Sequence, residues 1–149
     1  MKAHTIFDLD AEATLLASEA EGFWPSEPVP PNDHYAILHR SVAEVLDASR
    51  AAGTTPTIRL VVLGLGALGV RGPHLETAVA RIMSNTPVAV RPDDIAHRVR
   101  SFAWRRRLAL RLDRLRALLL EPAVSEMEIE TEIDAFVEVA AQQPEKRAA

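Results

Sequence analysis

Apolar residues recur every three or four positions along most of this 149-residue chain. That period describes one face of an α-helix, and it constrains the fold more than any other feature of the sequence. The repeating side chains are Leu, Val, Ile and Ala. Only seven aromatic residues occur, so a core must be assembled from aliphatic groups, which suits packed helices. The length fits one domain and suffices to bury a core without covalent staples. Apolar residues make up 48% of the chain, which excludes disorder throughout. No cysteine is present, which removes disulfides, zinc–thiolate sites and thiol nucleophiles together. Met1-Lys2-Ala3-His4 runs into Asp8 and Asp10 without an apolar secretory core. The longest apolar run, 60–70, is far too short to span a bilayer. A soluble cytoplasmic protein is expected.

The spacing of Ile6, Leu9, Ala13, Leu16, Ala20 and Phe23 predicts a first helix, with Thr5 and Asp8 as a capping start and Gly22 as its stop. Residues 24–32 carry Pro25, Pro28, Pro30 and Pro31. They read as a stiff strap of polyproline character that packs Trp24 onto the bundle, the alternative being a ligand for an aromatic groove. A second helix begins at Asn32 or Asp33, buries Tyr35, Leu38, Val42, Val45 and Leu46, and ends before Gly53. A helix over 73–85 turns Leu75, Val79 and Ile82 inward, with Pro73 in its first turn. Residues 87–90 are extended and lead to a long helix from 92 to about 120. Its apolar residues fall on two registers. Ile95, Val99 and Phe102 lie on one side; Trp104, Leu108, Leu112, Leu115 and Leu119 lie roughly opposite at about 100° per residue. Such a helix either bends near Ala103 or meets different partners along its length. Ser125 and Glu128 form a capping box for a last helix, with Ile129, Ile133, Phe136, Val137 and Ala140 inward. Residues 126–134 also alternate acid with apolar or Thr, a strand pattern; the helical spacing continued to Ala140 decides for helix. Residues 143–149 read as a flexible tail.

The segment 55–72 is the ambiguous one. Ile58-Arg59-Leu60-Val61-Val62-Leu63 is followed by Gly64-Leu65-Gly66-Ala67-Leu68-Gly69. This resembles the dinucleotide-binding fingerprint of the Rossmann fold, a strand and then G-x-G-x-x-G. The resemblance implies a short βαβ segment over 58–90, with Gly64, Gly66 and Gly69 at a pyrophosphate, Asp93 or Asp94 near the ribose, and a nucleotide-dependent enzyme. Against it, Gly72-Pro73 interrupts where the fingerprint opens into a helix, and the flanking segments are helical. The competing reading is a buried helix capped by Thr55, with Pro56 at its first position. Its glycines would allow close helix approach at a cost of about 1 kcal/mol each. Phe7-Asp8-Leu9-Asp10 resembles the first motif of the haloacid dehalogenase superfamily, which implies Asp8 as nucleophile and Asp10 as acid. That family has Thr or Val where Glu12 stands here, and both acids also suit the positive end of a helix dipole. The five histidines show no metal-ligand pairing at helical spacing. Asp93 and Asp94 precede His97 by about a turn, which ordinary capping explains. No catalytic residue, cofactor or metal site is assigned.

Charge is strongly zoned. Residues 91–116 hold nine arginines against three acids, and 121–138 hold seven acids and no base. Arginine outnumbers lysine fifteen to two, as a GC-rich bacterial genome would also produce. On a helical wheel Arg100, Arg107, Arg111 and Arg114 border one side of the Trp104–Leu119 stripe, Arg98, Arg105 and Arg116 the other, and Arg106 points farther round. Two basic flanks around an apolar seam match a partner helix that carries acids in corresponding places. The last helix offers Glu130, Glu132 and Asp134, and a short connection makes the two antiparallel neighbours.

The expectation is a mainly α protein: a single helical domain over 1–149, a bundle of five or six helices with the Pro-rich strap across it. The expected function is non-catalytic, that of a small adaptor, regulator or chaperone-like protein acting by protein–protein contacts, as a homodimer or with another protein. The first alternative is a nucleic-acid-binding regulator using Arg98, Arg105, Arg106, Arg107, Arg111 and Arg114. A membrane-surface helix is a further alternative for the same segment. The second functional alternative is the nucleotide-dependent enzyme.

Overall fold

Every regular element of the structure, a computed structural model that describes residues 6–85 and 91–145, is helical. The extended stretch expected at 87–90 and Thr5 lie outside the described residues. By its backbone contacts the chain divides into two units, Asp8–Val99 and Met1–Phe7 with Arg100–Ala149.

In the first unit Asp8 is itself the cap of α1 (Leu9–Ala20), its carboxylate accepting from the Ala11 N–H at 3.0 Å. The helix therefore starts later than the apolar spacing from Ile6 suggested. It stops where Gly22 takes φ 89°, a conformation that side chains resist. Its inner half is buried on more than one side. Leu16 and Ala20 enter one cluster and Leu15 another, while Leu9 and Phe23 remain exposed. The strap after it places Trp24 against the first cluster and buries Val29 in the second. Ser26 donates to the Asp93 carboxylate from its N–H (2.6 Å) and its hydroxyl (2.9 Å).

A 3-10 turn over Pro31–Asp33 precedes α2 (Ile37–Ala51), so the second helix begins later than Asn32. His34 and Ala36 are extended, which turns the N–H groups of Tyr35 and Ala36 toward Glu12. Then α3 (Ile58–Ala67) and α4 (Leu75–Met83) close the unit; α1 packs on α2 and α4, and α3 on the same two helices. Val42, Leu46, Val61, Leu65 and Val79 are fully buried at the centre.

The strand reading of 58–63 is thereby corrected, and so is the cap. The residues form a helix whose N-cap is Thr57, not Thr55, its hydroxyl accepting from the Leu60 N–H at 3.2 Å. Nor is this helix buried throughout. Val61 and Leu65 point inward, and Leu60 and Leu63 are exposed. The glycines divide by role. A Cβ on Gly64 would stand 2.7 Å from Val45 Cγ1, so the close approach of α3 to α2 depends on it. Gly69, at φ 81°, ends the helix, and Gly66 faces open space.

The long helix α5 (Pro92–Leu120) runs unbroken for 29 residues. Its Ile95, Ala96 and Val99 complete the cluster of Leu15 and Val29, and from Arg100 it belongs to the second unit. It thus meets different partners along its length, and the change of apolar register coincides with the change of partner. In the second unit α6 (Glu126–Ala141) starts at the expected capping box: Ser125 Oγ accepts from the Glu128 N–H, and the Glu128 carboxylate accepts from the Ser125 N–H. Trp104 Nε1 donates to the Val139 carbonyl at 2.9 Å, and Arg111 reaches Glu132 at 3.2 Å. Advancing on one helix retreats on the other, so they are antiparallel.

The two helical glycines predict opposite effects. Gly64→Ala forces a methyl onto the stiff Val45 side chain and should destabilise by about 1–3 kcal/mol, partly offset by better helix propensity. Gly66→Ala meets nothing and should stabilise by up to about 1 kcal/mol. Thermal or urea unfolding of the two variants checks the signs.

Candidate interaction surface

The six arginines singled out in the sequence do not form one face. Arg98 lies in the first unit and pairs with Asp8. Burial raises the Asp8 carboxyl, but the Ala11 N–H and the Arg98 guanidinium outweigh it and leave the group below its ordinary value. Arg106 is buried and donates to the Ile6 carbonyl at 2.8 Å. Arg107 is half-buried. Arg111 and Arg114 both pair with Glu132, at 3.2 and 3.1 Å, and the Glu132 side chain is only 6% exposed. Arg105 is exposed and stands over the Phe102 ring. Glu132 is therefore the acid that ties α5 to α6. Glu126, Glu130 and Asp134 remain on the surface and, with Arg116, form no ion pair among the described residues.

What the second unit leaves open is apolar. On α5, Leu112 and Leu119 are 55% and 61% exposed, with Leu108 and Leu115 half-buried beside them. On α6, Ile133 and Val137 are 42% and 58% exposed, with Ile129 half-buried. At about 100° per residue, the α5 stripe lies roughly a quarter turn from the line of Trp104 and Arg111 that faces α6. The α6 stripe lies about a quarter turn, in the same rotational sense, from the line of Glu132 and Val139 that faces α5. Because the helices are antiparallel, equal senses bring both stripes to one side of the hairpin. The result is a continuous aliphatic face, edged by Arg105 and Arg116 along α5 and by Glu126, Glu130 and Asp134 along α6. The sequence marks the Trp104–Leu119 stripe as a seam for a partner helix and the Ile129–Ala140 stripe as inward. They are too wide for a single partner helix to cover, and their outer edges become this face.

Two buried carboxyls on α1 escaped the sequence reading. Glu12 is 1% exposed; its carboxylate accepts from the Tyr35 N–H at 2.6 Å, the Ala36 N–H at 3.4 Å and His39 Nδ1 at 2.8 Å. Burial raises this group, and those donors with the nearby His34 and His39 charges bring it below its ordinary value. His34 is fully buried; burial lowers its pKa, and Nε2 has no hydrogen-bond partner among the described residues. Glu19 is 3% exposed and lines a cleft of about 160 Å³ with Trp24, Arg50, Thr54, Thr55 and Pro56. Burial, then the Asp47 charge, push its carboxyl up to about 8 against the pull of Arg50, whose guanidinium sits 4.6 Å from the Trp24 ring centroid. The sequence carried a sign of both: Glu12 and Glu19 flank Leu16 at helical spacing, on the face that a core helix reserves for apolar groups.

Among the described residues no cluster of three or more His, Asp or Glu side chains is arranged to hold a metal ion, and no helix is long and apolar enough to cross a membrane. No protein-family model matches the chain, and no curated protein matches its sequence.

These groups set opposite slopes in pH. Glu19 ionises near 4.5 when unfolded and near 8 when folded, so its cost grows as pH rises through that window. Glu19→Gln should stabilise the protein by roughly 2–3 kcal/mol at pH 7 and by nothing below pH 4. His34, lowered from 6.5, costs stability as pH falls below that value, and Glu12, lowered from 4.5, loses its contribution on further acidification. The wild-type Tm should therefore peak between pH 4.5 and 6.5, and a Tm series across pH 3–9 on both proteins checks this.

Proposed function

We propose that this protein is a non-catalytic, cytoplasmic interaction module, an adaptor or regulator that works by protein–protein contact through the aliphatic face of the α5–α6 hairpin. One observation carries the reading: Leu112, Leu119, Ile133 and Val137 are more than two-fifths exposed and lie on one side of a two-helix unit. Scattered exposed leucines need no explanation, but a contiguous apolar strip rimmed by charge marks an interaction site. The absence of cysteine fits a reducing compartment. The arginine segment supports nucleic-acid recognition less well, because Arg98, Arg111 and Arg114 already face carboxylates and Arg106 is buried.

Leu112→Gln with Val137→Gln keeps helix-compatible residues while making the strip polar. Chemical cross-linking of the full chain, alone at high concentration and in extract of its own cells, should give protein adducts that the double variant loses at unchanged helicity. Adducts that persist in the variant, or a wild type that forms none, overturn the reading.

A further inference from the structure

We infer that the occupant of this face is a second copy of the chain, docked with its two-fold axis parallel to the hairpin, so that α5 of each copy lies on α6 of the other. This rests on the reading of the hairpin as an interaction surface and specifies its partner and geometry.

The argument is charge complementarity. The aliphatic strip has a basic edge along α5, from Arg105 to Arg116, and an acidic edge along α6, from Glu126 through Glu130 to Asp134. A surface edged by opposite charges on its two long sides is complementary to itself, provided each edge meets the other in the partner. Two symmetric ways exist to lay one such strip face to face on another. With the axis parallel to the helices, left and right exchange, and the basic edge of each copy meets the acidic edge of its neighbour. With the axis across the helices, left stays left, and arginine meets arginine while glutamate meets glutamate. Like charges in register oppose the second arrangement.

The hydrogen bonds also fix the levels. Trp104 stands level with Val139 and Arg111 with Glu132, so at one residue per step Arg116 stands level with Met127. In the parallel-axis dimer it therefore meets Glu126 and Glu130 of the second copy. These are groups without an ion pair among the described residues, whereas Arg111 and Arg114 already pair with Glu132. Leu112, in the same way, meets the region of Ile133. The outcome is a four-helix arrangement in which the strip left open by two helices is closed by two more.

Sedimentation equilibrium at low salt on four proteins tests this. Arg116→Glu should weaken the dimer about tenfold or more, and Glu126→Arg with Glu130→Arg should do the same; combining all three should restore near wild-type affinity. Arg116→Glu that tightens the dimer would mean arginine faces arginine, and equal affinities for all four would mean the edges do not meet; either overturns the geometry. A wild type that remains monomeric at millimolar concentration removes the second copy as occupant. Cross-linking to a different protein that the Leu112/Val137 variant loses would then leave the interaction-module reading standing, and no adducts at all would remove both. A second readout uses the lack of native thiols. When chains carrying Leu112→Cys are mixed with chains carrying Ile133→Cys, oxidation should give the mixed disulfide in excess over the Leu112→Cys homodimer. The reverse preference contradicts the proposal.

Discussion

The structure depends on one constraint: α5 is a single helix of 29 residues that carries two apolar registers, and no one neighbour can cover both. Its first two turns are completed by Leu15 and Val29. From Arg100 onward the one helix in its unit among the described residues is α6, with the Ile6 carbonyl held by Arg106. Two helices can shield the line along which they touch, but a stripe wider than that line keeps an outer edge in water. Leu112 and Leu119 on one helix and Ile133 and Val137 on the other are that edge. The register that aligns them is held by Glu132, nearly buried between Arg111 and Arg114, and by the Trp104 indole on the Val139 carbonyl. The charge zoning of the sequence is thus used twice. Part is consumed in fixing which helix lies beside α5, and the remainder edges the open strip.

The first unit shows how one helix treats two buried carboxyls differently. Glu12 is met by two backbone N–H groups and an imidazole, because the short non-helical link between the 3-10 turn and α2, extended at His34 and Ala36, offers its donors. It is satisfied as an anion. Glu19, two turns further on, is buried without such donors and near a second acid, so it resists ionisation. Burial costs a charged group dearly unless hydrogen bonds replace water, and α1 carries both outcomes on one side.

Much of the fold was legible because it rests on periodicity and capping. The span of α5, the capping box at Ser125 and Glu128, the stop at Gly22 and the seating of Trp24 follow from local chemistry. The segment around Gly64 was not decidable locally, since a β-branched run and three glycines suit either a strand and loop or a helix. As a helix the segment needs glycine at 64, because the methyl groups of Val45 on another helix leave no room for a Cβ. The start of α2 was misplaced for a similar reason, as the donors of Tyr35 and Ala36 are claimed by Glu12, 23 and 24 residues away. The open strip was hidden by its own regularity. Ile133 and Val137 share the helical spacing of core residues, and a single sequence does not say how many partner helices are present to cover them.

The most direct test of this account is amide hydrogen exchange measured across a dilution series of the full chain. If the strip is closed by a second copy, protection over 105–119 and 127–139 should fall as the protein is diluted, while protection over 42–50 and 60–66 stays constant. Protection of the α5–α6 hairpin that is high and independent of concentration would contradict it, because the two helices would then be stable with their aliphatic face in water.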